Sequence, residues 1–190
     1  MISIRRARTT DAIAIAAVHV AAWRSAYPGI LPDGFLARLS VPRQAAHYDA
    51  AIRSGTGVFV ATASGMDVPQ GSGPRVIGFT TAGRARSGSE VGGRRLGEGE
   101  VETLYVLDDW RERGVGRRLL RAAAAHLAEI GCRSAFLWVL RDNPSRWFYQ
   151  RLGGKPVAEA MIQFAGQQVM QTAFVWDPIE RLLAASPQAS

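Results

Sequence analysis

The run Arg111-Glu112-Arg113-Gly114-Val115-Gly116-Arg117 is where residue types and spacing in this chain could do chemistry. It follows an alternating segment, Glu100 to Val106, and leads into a stripe of apolar residues at helical spacing. Glycine lets the backbone take φ > 0 and come close to a ligand. Two glycines two residues apart at a helix start therefore let several N–H groups converge at the positive end of the helix dipole. A phosphate or pyrophosphate is what such a cradle holds.

Spacing decides among the known cradles. The dinucleotide fingerprint has a third small residue three positions after its second glycine; here that position is Leu119, and no βαβ unit precedes it. The Walker loop requires Gly-Lys-Ser or Gly-Lys-Thr, whereas Gly154-Lys155 is followed by Pro156. The pattern that fits is Arg/Gln-x-x-Gly-x-Gly/Ala between a strand and a helix, from Arg111 to Gly116. It resembles the acyl-CoA cradle of the GNAT superfamily of N-acyltransferases.

Composition is consistent with an anionic ligand. The formal charge is +7, and arginine outnumbers lysine; guanidinium forks pair with phosphate oxygens in bidentate geometry. The arginines are spread without a run of five basic residues, which argues against nucleic acid as a partner. With 190 residues, 47% of them hydrophobic, one compact unit is expected: a single domain over residues 1–182 and a disordered tail at 183–190. Cys132 stands alone, so no internal disulfide or paired-thiol motif exists, and His19, His47 and His126 are far apart in sequence. No metal is expected. Arg5, Arg6 and Arg8 before an Ala/Ile-rich stretch superficially resemble a secretory signal, but Asp11 and His19 interrupt the stretch. No segment reaches the roughly twenty apolar residues of a membrane span. A cytoplasmic protein with no membrane partner is the expectation.

The elements that must position the cradle read off in order. A strand at about 2–7 precedes a helix at about 10–26, ended by Pro28-Gly29. A short piece through Leu39 and a helix at about 42–54 follow. Strands at 58–62 and 76–81 flank a Gly/Pro/Ser loop at about 64–74, and a second soft loop runs from Arg86 to Gly99. The cradle strand covers 100–107 and its helix 114–130. A buried strand follows at 135–140, then a short helix at 143–152, strands at 156–164 and 167–176, and a weak terminal helix.

This order matches the GNAT arrangement over nearly the full chain. It implies an α/β (α+β) fold, with a central mixed, mostly antiparallel sheet of about seven strands flanked by helices. A second segment carries the resemblance: Asn143-Pro144-Ser145-Arg146-Trp147-Phe148-Tyr149-Gln150-Arg151-Leu152-Gly153 is similar to the family's Asn…Phe-Tyr-x-x-Leu-Gly-Phe. It departs in two ways. Asn143 stands six residues before Tyr149, one fewer than in many relatives, and Gly154 replaces the usual aromatic.

The resemblance implies an acetyl-CoA-dependent N-acetyltransferase acting by direct transfer to a primary amine of a small molecule or peptide. The alternative is a non-catalytic acyl-CoA-binding sensor of the same fold. By resemblance, the N–H groups of Arg111, Glu112, Arg113, Gly114, Val115, Gly116 and Arg117 hold the pyrophosphate of acetyl-CoA. The backbone at Leu104, Tyr105 and Val106 bonds the pantetheine arm, which Asn143 also contacts. Tyr149 is aimed at the thioester sulfur. The acceptor pocket is expected at Trp23, Arg24 and Tyr27, and family members often pair as homodimers through their terminal strands.

Acetyl transfer to an amine needs deprotonation of the amine, stabilisation of the oxyanion and a proton for the thiolate. Glu100 is the first choice as base, eleven residues before Arg111, where some family members carry theirs; Glu102 shares its strand face by the period of two. A bulge in the strand would change which of the two faces the site. Tyr149 is the expected acid.

Overall fold

The computed structural model describes residues 1–65, 73–86 and 89–185. In chain order these form β1 (Ile2–Arg6), α1 (Ala12–Ala26), α2 (Asp33–Ala37), α3 (Val41–Arg53), β2 (Gly57–Ala63), β3 (Arg75–Arg84), β4 (Glu90–Val91), β5 (Arg94–Arg95), β6 (Gly99–Val106), α4 (Val115–Glu129), β7 (Ala135–Leu140), α5 (Arg146–Arg151), β8 (Lys155–Phe164), β9 (Gln167–Trp176) and α6 (Glu180–Ala185). Seven strands make one sheet in the order β1-β2-β3-β6-β7-β9-β8. Every pairing in it is antiparallel except β6 with β7. The expected mixed, mostly antiparallel sheet flanked by helices is present.

Each helix lies where its apolar stripe can be covered. On one face, Ile15, Ala16 and Val18 of α1 and Tyr48 of α3 cluster with Val58, Val60 and Phe79 of the sheet. On the other, Leu120, Ala123, Ala124 and Leu127 of α4 pack with Val101, Leu137, Val139 and Phe174, and Leu182 of α6 joins them. A fully buried leucine side chain contributes about 1.5–3 kcal/mol, and the stripe of α4 is held chiefly across β3 and β6.

The soft loop at 86–99 contains the small β4–β5 hairpin, with Glu90 opposite Arg95. Its residues 87–88, and residues 66–72 of the earlier loop, lie outside the described residues. Residues 183–185 of the expected tail belong to α6, where Leu182 is fully buried and the Leu183 carbonyl accepts a hydrogen bond from Arg121 Nη1 at 3.0 Å. Residues 186–190 of that expected tail are outside the described residues.

A buried polar contact joins the two helices of the first face: His19 Nδ1 and Tyr48 Oη lie 2.7 Å apart. Burial, with the nearby His47, lowers the His19 pKa from 6.5 to about 4. The unfolded chain therefore binds a proton here that the folded chain refuses, so stability is lost as pH falls from about 6.5 towards 4. The full shift corresponds to about 3 kcal/mol. Chemical denaturation at several pH values should show this acid-side loss in the native chain and its shrinkage in His19→Gln.

Candidate functional site

A cleft of about 810 Å³ opens where two neighbouring strands part. β6 and β7 are in register only at Gly99–Ala135 and Glu100–Phe136. Beyond that point β6 keeps β3 on one side and, among the described residues, has no strand on the other. Leu107 N–H donates to the Ile77 carbonyl of β3 at 2.9 Å. Backbone groups alternate sides along a strand, so Tyr105 also turns toward β3, while the N–H groups of Leu104 and Val106 turn into the gap. All three of these residues line the cleft.

At one end of the gap lies the Gly-rich loop. Trp110 is buried and anchors its start, Glu112 has φ 61° and Gly114 φ 74°, and α4 begins at Val115. The left-handed residues curl the chain so that successive N–H groups face inward. Gly114 offers no side-chain cap, which leaves the N–H groups of the first turn of α4 open to an anion. A Cβ on Gly116 would touch the Phe148 ring at 3.5 Å, so larger side chains would fill the space between loop and α5.

The arginines separate by what they touch. Arg111 and Arg117 line the cleft, along with Glu112, Gly114 and Gly116. Asp108 holds Arg111 at 3.0 Å and also accepts a hydrogen bond from Ser25 Oγ. Arg113 instead stacks over Trp110 at 5.0 Å, and the Val115 side chain is buried in the core, so only their backbones can serve the loop. Arg118 donates to the Ile2 carbonyl at 3.1 Å.

Tyr149, on α5, is buried and lines the cleft from the α4 side of the sheet. Burial, with Tyr27 nearby, pushes its pKa far above the ordinary phenol value, so it remains an O–H donor. Phe148 and Phe174 pack on its ring at 5.3 and 6.2 Å. Gly154 closes this arrangement: a Cβ there would lie 2.7 Å from Trp176, whose Nε1 donates to the Leu152 carbonyl at 2.9 Å. The space of the missing aromatic at 154 is thus taken by Trp176.

The carboxylates are distinguished by a bulge. Thr81 faces Thr103 and Ala82 faces Val101, leaving Glu102 as the extra residue. Thr80 Oγ1 donates to the Thr103 carbonyl at 2.7 Å, and the Thr81 and Thr103 hydroxyls meet at 2.8 Å, holding the irregular turn of the strand. Glu102 lines the cleft and pairs with Arg86 at 3.1 Å. Glu100 is absent from the cleft wall, back where β6 and β7 still pair. Its pKa is raised by burial first and then by Glu102. The bulge separates the two carboxylates expected to share a face: Glu102 lines the cleft and Glu100 does not.

Asn143 is buried in the cleft wall, where its Oδ1 accepts from Ser145 N–H at 2.9 Å and its Nδ2 donates to Tyr27 Oη at 3.5 Å. Trp23 and Tyr27 line the cleft as well. Trp23 Nε1 is a buried donor without a hydrogen-bond partner; the Tyr105 phenol feels its dipole, but the pair falls short of hydrogen-bond geometry. Arg24 is placed apart from Trp23 and Tyr27. It is exposed, and its guanidinium donates to the carbonyls of Leu36, Ala37 and Leu39, satisfying the end of α2 outside the cleft.

Ile162 and Phe164 of β8 also line the cleft, as do Leu31 and Trp138. Sequence reasoning missed the β8 pair, since nothing local tells that this strand reaches the C-terminal end of α1. Among the described residues no group of three or more His, Cys, Asp or Glu could hold a metal, and no helix is long and apolar enough to cross a membrane.

Comparison with known proteins adds the following. A family model described as acetyltransferase (GNAT) family matches residues 20–154. The chain is 33% identical over 182 residues to the uncharacterized N-acetyltransferase YuaI of Bacillus subtilis (strain 168), covering 96% of each chain. In fold it is similar to the PaiA N-acetyltransferase of Thermoplasma acidophilum solved with coenzyme A, with TM-score 0.64 and 19% identity over 90% of this chain and 98% of that one. It is also similar to YncA, a putative acetyltransferase of Salmonella typhimurium solved with acetyl-CoA, with TM-score 0.62 and 20% identity over 93% of each chain.

Proposed function

We propose that this chain, which belongs to the acetyltransferase (GNAT) family, transfers an acetyl group from acetyl-CoA directly to the primary amine of a small molecule or peptide. The observation that carries this reading is the continuity of the cleft. It runs from the uncapped first turn of α4, along the open side of β6, to the buried Tyr149 phenol and the Trp23 end. Two proteins of similar fold were solved with coenzyme A and acetyl-CoA, in keeping with such a donor.

In this reading, the N–H groups from Glu112 to Arg117 and the Arg111 guanidinium bind the diphosphate, and Leu104 and Val106 hold the pantetheine arm by backbone hydrogen bonds. Bound acetyl-CoA supplies the activated acyl group. Glu102 accepts the proton of the incoming ammonium, directly or through water. The Val106 N–H faces the position where the oxyanion develops, and Tyr149, kept protonated by burial, donates to the departing thiolate.

Calorimetric titration with acetyl-CoA, NADH and ATP tests the donor site. Saturable binding of acetyl-CoA alone is expected, and Gly116→Val, which crowds Phe148 and the loop, should weaken it at least about tenfold. Equal binding of all three ligands, or none, would overturn the reading. Acetyl-CoA binding without transfer to any amine would identify the sensor instead.

A further inference from the structure

One stretch of the cleft is walled by rings. Trp23 meets Tyr27 edge-on at 5.0 Å, Phe164 at 5.7 Å and Tyr105 at 6.2 Å. Phe35 braces Phe164 from behind at 5.1 Å. Leu31 and Ile162 fill the spaces between them in the wall. This is an apolar slot walled by α1 and β8 in the same cleft that Tyr149 lines.

Charge in the cleft runs the opposite way to what a polycation requires. Glu102 and Glu112 are its only carboxylates among the described residues, Glu112 belongs to the loop, and Glu102 already pairs with Arg86. Arg111, Arg117 and Arg151 line the same cleft. A second or third ammonium on the acceptor would enter the slot without a carboxylate to meet it, and burying an unpaired charge is costly. A ring laid against the joint Trp23–Phe164 wall instead buries apolar surface and gains ring contacts.

We infer that the amine acceptor is a primary monoamine with an aromatic or bulky apolar body, packed against the wall that Trp23 and Phe164 make together, and that polyamines are rejected. The inference rests on the acetyl-transfer reading and extends it to the acceptor class. Phe164 is then a specificity-determining residue, supplied by a strand far in sequence from the cradle.

The test measures initial rates at saturating acetyl-CoA with phenethylamine, tryptamine, n-butylamine and spermidine. The two aryl amines should exceed both others in kcat/KM by at least about tenfold. Phe164→Leu, which keeps apolar bulk, and Phe164→Ala should each reduce the aryl-to-butyl ratio, the alanine variant by about tenfold, while the acetyl-CoA dissociation constant by calorimetry stays unchanged. Preference for spermidine, or a ratio that both variants leave intact, would overturn the inference. So would acetyl-CoA binding with no acetylation of any of the four amines, whereas failure to bind acetyl-CoA would instead overturn the donor reading beneath it.

Discussion

Tyr149→Phe should lower kcat by about 100-fold and move the acetyl-CoA dissociation constant by less than about twofold. The substitution keeps the ring that packs on Phe148 and Phe174 and removes only the hydroxyl. Folding should therefore survive, and the loss falls on the step in which the thiolate needs a proton. Because burial holds the phenol protonated far beyond neutral pH, the native protein should show no loss of this acid across the range where amines begin to deprotonate. Single-turnover and steady-state rates with one accepted amine supply the measurement, and an unchanged kcat would remove Tyr149 from the chemistry.

Glu102→Gln should cost about 100-fold in kcat/KM near neutral pH and change the shape of the pH profile. Without a base, the rate should follow the free-amine fraction and rise about tenfold per pH unit until the amine's own pKa, about 10 for an alkylamine. Glu100→Gln serves as the contrast. The Glu100 pKa is raised in the fold by burial and by repulsion from Glu102, against a partial offset from Arg86. The folded state thus holds this proton more tightly than the unfolded state, and its stability falls as pH rises above the ordinary carboxylate value. Replacing Glu100 should therefore raise Tm near pH 8, give no gain near about pH 3, and leave the pH–rate profile unaltered. A profile changed by Glu100→Gln and untouched by Glu102→Gln would reverse the assignment.

How much of this was legible depended on how local the cause is. β7 over 135–140 and β9 over 167–176 carry the bounds read from the sequence, because runs of β-branched and aromatic residues between turn residues state themselves locally. α4 departs by one residue at each end of its expected range, since Gly114 and Gly131 punctuate its apolar stripe. The bulge at Glu102 was named only as a contingency. It depends on the count of residues between partners on two strands and on Thr80 reaching the Thr103 carbonyl, neither of which shows within β6 alone. The position of Arg24 is non-local in a similar way: from sequence it sits beside Trp23 and Tyr27, but a step of one residue along a helix turns a side chain by about a quarter circle. The carbonyls at the end of α2 claim it there. Phe164 and Ile162 were invisible because the contact between β8 and the end of α1 is made by folding, across most of the chain.

The parting of β6 from β7 also bears on how this protein avoids sticking to others. An unpaired row of backbone donors and acceptors at the rim of a sheet is a template on which a foreign strand can build. Here such a row lies in the middle of the sheet, inside a wedge that narrows to Glu100 and Phe136. A polypeptide strand needs about 4.8 Å of lateral spacing along its length and room for side chains on both faces, which a closing wedge denies. A thin, unbranched chain has neither requirement. The fold can therefore keep open hydrogen-bonding capacity for a slender ligand without exposing a nucleus for aggregation.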